Sequence, residues 1–189
     1  MAVASGSTGF IGPPLLRNLL FHWKSLSLQG GVVLIVRSKK GMPSHERVKR
    51  LLSRSMFDFL SSNEKESLVN VLEGDVTLPT CGMESQQIIS LCRKNISHVF
   101  HCAAAVSFSQ TLEDAASSNI TSSLQMQLLT KSLKSKGAKF VHVSTAFVHG
   151  GDTGTKEAPL PESLFSLHPF DPLEIYKSML GTQSYASAA

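Results

Sequence analysis

The stretch Ser5-Gly6-Ser7-Thr8-Gly9-Phe10-Ile11-Gly12 decides how the chain is read. Its glycines, Gly6, Gly9 and Gly12, have G-x-x-G-x-x-G spacing, a variant of the G-x-G-x-x-G dinucleotide pattern. Upstream, Met1–Ala4 suits the end of a buried strand. Downstream, Leu15, Leu16, Leu19, Leu20 and Trp23 recur at helical spacing behind Pro13 and Pro14, which a first helical turn tolerates. Strand, glycine turn and helix in that order form a phosphate cradle. Glycine lets backbone approach a pyrophosphate, and the helix start offers free N–H groups and partial positive charge. Taken alone, the spacing equally describes a plain glycine turn, so the flanking chain must decide.

Gln29-Gly30-Gly31 closes the first helical unit, and Val32-Val33-Leu34-Ile35-Val36 is an unbroken apolar, mostly β-branched run of the kind buried on both faces of a parallel sheet. A βαβ unit within the first 37 residues is the context the glycine pattern requires. At the second strand's tip stands Arg37, with no acidic residue before Lys39 and Lys40. An Asp or Glu there would bind the ribose 2′-hydroxyl of NAD, whereas Arg accommodates the 2′-phosphate of NADP. Arg37 therefore favours NADP over the alternative of a solvated basic loop. Pro43-Ser44 opens a helix whose Arg47, Lys49, Arg50 and Arg54 read mainly as a solvated face, with contact to ligand phosphates as the alternative.

Further on, Ser61–Glu64 reads as a loop and cap, Leu68–Glu73 as a third strand, and Ile88–Cys92 as a short helix. Asp75 stands at the third strand's tip, as a turn residue or beside an adenine. Ser97–Cys102 reads as a fourth strand running into Ala103-Ala104-Ala105, whose small side chains permit close approach by a ligand or by a packed helix. His101 beside Cys102 has no partner at metal-ligand spacing, so no metal site is expected. Leu112–Lys136 has helical periodicity, with Asn119 inside it. Ala138–Thr145 reads as the fifth strand, with Ser144 and Thr145 at its C-terminal tip. Hydroxyls there can stabilise a developing oxyanion or simply cap the strand. His142 and His149 read as packing or loop residues. Pro159, Pro161, Pro169 and Pro172 change the character of the chain beyond about Gly150.

The expected fold is α/β, a Rossmann-like doubly wound parallel sheet of five strands in order 3-2-1-4-5, incomplete at its end. Residues 1–150 form the nucleotide domain and 151–189 the start of a further region. Composition agrees with a globular chain: 42% hydrophobic residues and mean hydropathy +0.05 over 189 residues. A net charge of +4 is too weak to argue nucleic acid, no run approaches a membrane span, and three cysteines without C-x-x-C spacing read as reduced intracellular thiols.

Seven pieces in register resemble the extended short-chain dehydrogenase/reductases, and within them the alcohol-forming fatty acyl-CoA reductases of the male-sterility family and their thioester-reductase relatives. They are the glycine stretch, V-L-I-V-R-S-K-K-G at 33–41, E-R at 46–47, G-D-V-T-L-P at 74–79, V-F-H-C-A-A-A-V-S-F at 99–108, N-I at 119–120 and F-V-H-V-S-T-A-F-V-H-G at 140–150. The resemblance implies that Gly6, Ser7, Thr8, Gly9, Phe10 and Gly12 hold a pyrophosphate and Arg37 the 2′-phosphate of NADPH. It implies that Asp75 and Val76 flank adenine, Ala103 and Ala104 line the ribose, and Asn119 shapes the site through the backbone. Ser144, or failing that Thr145, would bind the carbonyl of a fatty acyl-CoA on its way to aldehyde and alcohol. It further implies work at the cytosolic face of the peroxisome or endoplasmic reticulum.

The family's proton donor is a Tyr with a Lys four residues later. Tyr176 has Leu180 at that position and Tyr185 has Ala189, so neither fits. The region 151–189 resembles the beginning of the insertion that precedes that pair, and the first strand looks clipped by a residue or two. The expectation is a chain that binds NADP without turnover. Alternatives are a carrier-protein thioester reductase, a sugar-nucleotide or sterol oxidoreductase, a non-catalytic NADP-binding or interaction module, or a structural remnant without nucleotide affinity. The sequence sets no oligomeric state.

Overall fold

Five parallel strands stand in the order 3-2-1-4-5, as the sequence predicts. They belong to a computed structural model that describes residues 1–107, 109–133, 137–145, 154–161 and 166–181. The strands are β1 (Ala2–Ser5), β2 (Val32–Val36), β3 (Val69–Glu73), β4 (His98–His101) and β5 (Lys139–His142). Ala2 lies opposite Val32 on one side and His98 on the other, so the strands flanking β1 start level with it. All their C-terminal tips therefore open on one edge. The crossovers include α1 (Gly12–Ser25), α2 (Ser44–Leu52), α3 (Ser62–Leu68), α4 (Ser85–Cys92), α5 (Leu112–Ala116) and α6 (Ser122–Ser132).

The unbroken apolar run of β2 is explained by its two faces. Val33 and Ile35 join Val3, Val99, Leu91, Met126 and Leu129 on one side of the sheet. Val32, Leu34 and Val36 join Leu16, Leu20, Val48, Leu51 and Phe57 on the other. Every one of these side chains is under 5% exposed, and each full burial contributes roughly 1.5–3 kcal/mol before the entropy of ordering the chain.

Several boundaries differ from the sequence reading: β4 is shorter than Ser97–Cys102 by a residue at each end, α4 starts at Ser85 before Ile88, and four differences go further. Leu68 ends α3 instead of opening β3. The Ser61 segment is more than a cap: Ser61 and Glu64 form a reciprocal capping box that starts a seven-residue helix, too short to show periodicity. The helix expected over Leu112–Lys136 is broken by a π turn at Ser117–Thr121, and Lys136 lies outside the described residues. β5 ends at His142, so Ser144 and Thr145 lie beyond the strand in irregular chain. The final element, α7 (Pro172–Met179), is capped by Asp171 and approaches the π turn through Tyr176, whose hydroxyl lies 2.7 Å from Thr121 Oγ1. His149, Gly150 and Tyr185 lie outside the described residues.

Candidate functional site

Beyond the strand tips lies a cavity of about 890 Å³. Its walls include Gly6, Ser7, Thr8, Gly9, Phe10, Arg37, Asp75, Val76, Ala103, Ala104, Asn119, Ser144 and Thr145. Gly12 is the one residue expected at the site that lies behind this wall, buried under the turn.

The turn's geometry explains two of its glycines. Gly6 has φ +73°, and a Cβ there would stand 2.5 Å from Ala103 N, which brings the tips of β1 and β4 into contact. A Cβ on Gly12 would stand 2.2 Å from Gly6 O and 2.5 Å from Ser7 Cα, so the start of α1 folds directly against the turn. Ser7 is 2% exposed, yet its Oγ has no hydrogen-bond partner. A buried orphan hydroxyl is costly, and one that lines a cavity at a helix start suits an incoming anion's oxygen. Pro13 and Pro14 occupy the first turn of α1 and carry no N–H, which leaves Ile11 and Gly12 as its free backbone donors. The residues present thus fit a pyrophosphate, with side-chain hydroxyls supplementing a shortened set of backbone donors.

At the opposite end, Arg37 Nη1 lies 3.2 Å from Asp75 Oδ2, across the tips of β2 and β3. Asp75 Oδ1 accepts from Thr77 N at 3.0 Å and Thr77 Oγ1 at 2.8 Å. Burial alone would raise the Asp75 pKa, but the Thr77 hydrogen bonds and the Arg37 guanidinium outweigh it and hold the carboxyl below its ordinary range. Arg47 belongs here too, although its helix reads as a solvated face. Its Nη2 donates to Thr8 Oγ1 at 2.6 Å and its Nη1 donates to Arg37 O at 2.5 Å. Burial, and then the neighbouring Arg37, lower its pKa from the ordinary guanidinium value, and it stays cationic. Two guanidiniums therefore stand at the tip of β2, one fixed by the glycine turn. The signal available in the sequence was the run of basic residues in α2, which cannot by itself say which cation turns inward. Lys39 lines the cavity, whereas Lys40 sits in a tight turn closed by the Lys39–Met42 bridge.

The middle of the cavity is organised from β4. Asn119 mimics a strand neighbour: Ala105 N donates to its Oδ1 at 2.8 Å, and its Nδ2 donates to Ala105 O at 3.1 Å. It is neither exposed nor a local hydrogen-bonder. Cys102 is half-buried, and burial raises its thiol pKa, so the thiol is protonated at neutral pH. His142 is exposed at the cavity wall, with its ring 5.3 Å from that of His101. Ser144 and Thr145 are exposed at the mouth. Among the described residues no group of three His, Cys, Asp or Glu could hold a metal, and no helix is long and apolar enough to cross a membrane.

Known proteins match this chain closely. The family described as "Male sterility protein" matches residues 5–186. Fatty acyl-CoA reductase 1 of Xenopus laevis is 32% identical over 179 residues, which is 93% of this chain and 32% of that protein. The Homo sapiens protein of the same name is 31% identical over 179 residues, again 93% and 32%. The chain thus spans about a third of the length of these curated relatives. Among solved structures, the terminal R domain of the myxalamid PKS-NRPS pathway superposes with TM-score 0.63 at 20% identity, covering 82% of this chain and 37% of that one. UDP-glucuronic acid 4-epimerase from Bacillus cereus, in complex with NAD, superposes with TM-score 0.54 at 21% identity, covering 95% and 49%. The two solved structures share the fold with this chain. With the match spanning both the glycine turn and the strand-tip loops, the chain belongs to the male sterility protein family and is homologous to the fatty acyl-CoA reductases.

Proposed function

We propose that this chain forms the NADPH-binding part of a reductase that acts on long-chain fatty acyl-CoA and yields alcohol by way of aldehyde. The observation that carries the reading is the pair Arg37 and Arg47 at the tip of β2, where no acidic side chain replaces them. Guanidiniums pair bidentately and with opposite charge on a 2′-phosphate, whereas a bare ribose hydroxyl offers them one neutral acceptor.

Ser7 Oγ and the turn's backbone would hold the pyrophosphate, Asp75 and Val76 would flank the adenine, and Ala103 and Ala104 would lie along a ribose. NADPH supplies a hydride when bound. Ser144, at the mouth of the cavity, would donate its hydroxyl proton in a hydrogen bond to the acyl carbonyl oxygen and stabilise negative charge as it develops. Asn119 keeps the Ala103–Ala105 wall in place by gripping Ala105. Homology to fatty acyl-CoA reductase 1 supports the substrate class.

Titration of the chain with NADPH and with NADH, followed by thermal shift and calorimetry, tests the cofactor assignment. Selective stabilisation by NADPH is expected. Equal affinity for both nucleotides refutes the arginine argument, and no affinity for either refutes the functional reading. Ser144→Ala is expected to slow acyl-CoA-dependent NADPH oxidation by about 100-fold in a protein carrying a Tyr-x-x-x-Lys pair. An unchanged rate would remove Ser144 from the chemistry.

A further inference from the structure

Beneath the cavity, His101 is fully buried and makes two side-chain hydrogen bonds to distant elements. Its Nδ1 lies 2.7 Å from Ser5 Oγ and its Nε2 lies 3.2 Å from Ser122 Oγ. Ser5 and Ser122 are 1% and 0% exposed. Three polar side chains packed inside a sheet–helix interface cost desolvation that an apolar trio would avoid, so their arrangement calls for a reason.

The direction of the hydrogen bonds can be worked out. Ser122 lies just past the π turn, where its backbone N–H bonds Ser117 O five residues back. This leaves Ser118 O to the Ser122 hydroxyl, which donates to it at 2.6 Å. With its proton so placed, Ser122 Oγ can only accept from His101, which must therefore carry its proton on Nε2. Nδ1 then accepts from Ser5 Oγ–H. The relay runs Ser5 to His101 to Ser122 to the Ser118 carbonyl, from the residue before Gly6 to the turn that presents Asn119.

Backbone links converge on the same residues. Cys102 N donates to Ser5 O at 3.3 Å, and Val143 N, next to Ser144, donates to His101 O at 3.0 Å. Ser118 and Asn119 both line the cavity.

We propose that His101 is a positioning residue which, as its Nε2–H tautomer, locks the glycine turn to the π turn and thereby holds Asn119 and the Ala105 wall in register for the cofactor. The proposal rests on the functional reading given above. It acts through Asn119, so its effect on binding must overlap with that of Asn119 itself.

The test uses the 189-residue chain. His101→Leu and Asn119→Ala are each expected to weaken NADPH binding about tenfold, the worth of roughly one net hydrogen bond. Together they should weaken it little more than either alone. His101→Gln, which retains a donor and an acceptor, should recover part of the loss. Additive effects, or NADPH affinity unchanged in His101→Leu, would overturn the proposal while leaving the functional reading intact. A wild-type chain without NADPH affinity overturns both. If His101→Leu does not fold, Ser122→Ala cuts the same link outside the sheet and should show the same overlap with Asn119→Ala; additivity there overturns the proposal. Nitrogen-15 NMR of the wild-type histidines reads the tautomer without any variant: Nε2–H is expected, and a proton on Nδ1 refutes the relay.

Discussion

Lowering the pH should destabilise this protein by an amount traceable to one side chain. His101 is fully buried, and that burial, reinforced by the nearby His142 ring, pushes its pKa down from 6.5 to about 4. On unfolding, the imidazole meets water and titrates at its ordinary value. Between those two values the unfolded chain binds a proton that the folded chain refuses, so stability is fully present above pH 6.5 and falls as pH falls toward 4. Comparing pH 7 with pH 5, the unfolded state gains about 2 kcal/mol from this proton while the folded state gains almost none. Urea unfolding of wild type and His101→Gln at both pH values isolates the effect, because the depressed carboxylates Glu64 and Asp75 are common to both proteins. Wild type should lose about 2 kcal/mol more than the variant over this range. Parallel losses would mean that the imidazole protonates freely inside the fold and that its burial between two serines has been misjudged.

Gly12→Ala should abolish nucleotide binding and cost more than about 2 kcal/mol of stability, because its Cβ meets backbone atoms of Gly6 and Ser7 that cannot yield; binding retained in calorimetry would contradict the tight turn. Arg47→Ala should weaken NADPH roughly tenfold and NADH much less, and a parallel loss for both would place Arg47 away from the 2′-phosphate. Asp75→Asn removes the competitor for Arg37, so NADPH titration should show affinity rising a few-fold; a fall would show that the carboxylate itself holds the nucleotide. Ser61→Ala should cost about 1 kcal/mol in urea unfolding by removing one half of the capping box, and no change would mark α3 as irrelevant to stability.

Much of this was written locally. A β-branched run shows a strand buried on two faces, three glycines beside it show a close turn, and Arg37 stands where the strand ends. These features depend on neighbours a few residues apart, which is the range over which sequence patterns speak. Arg47, His101 and Asn119 were harder because their partners are distant: Thr8 lies 39 residues from Arg47, and Ser5 lies 96 from His101. Nothing in a helical charge run reveals which cation turns inward, and a π turn inside a leucine-spaced segment leaves the periodicity almost unmarked. The hydroxyls of Ser144 and Thr145 were legible as residues at the end of the sheet, but the chain leaves the strand earlier than its β-branched spelling suggests.

The two prolines opening α1 have a consequence for how the site would respond to its solution. Backbone donors act at contact distance and are nearly indifferent to dissolved ions. With Pro13 and Pro14 in place, two of the helix's four terminal donors are missing, and the attraction for a polyanion shifts toward Arg37 and Arg47, which stand partly in solvent. Fields from such cations are screened over about 8 Å at physiological ionic strength. Capture of the dinucleotide should therefore be fastest in dilute buffer and slow steadily as salt is added, so the protein's grip would track the ionic content of its surroundings.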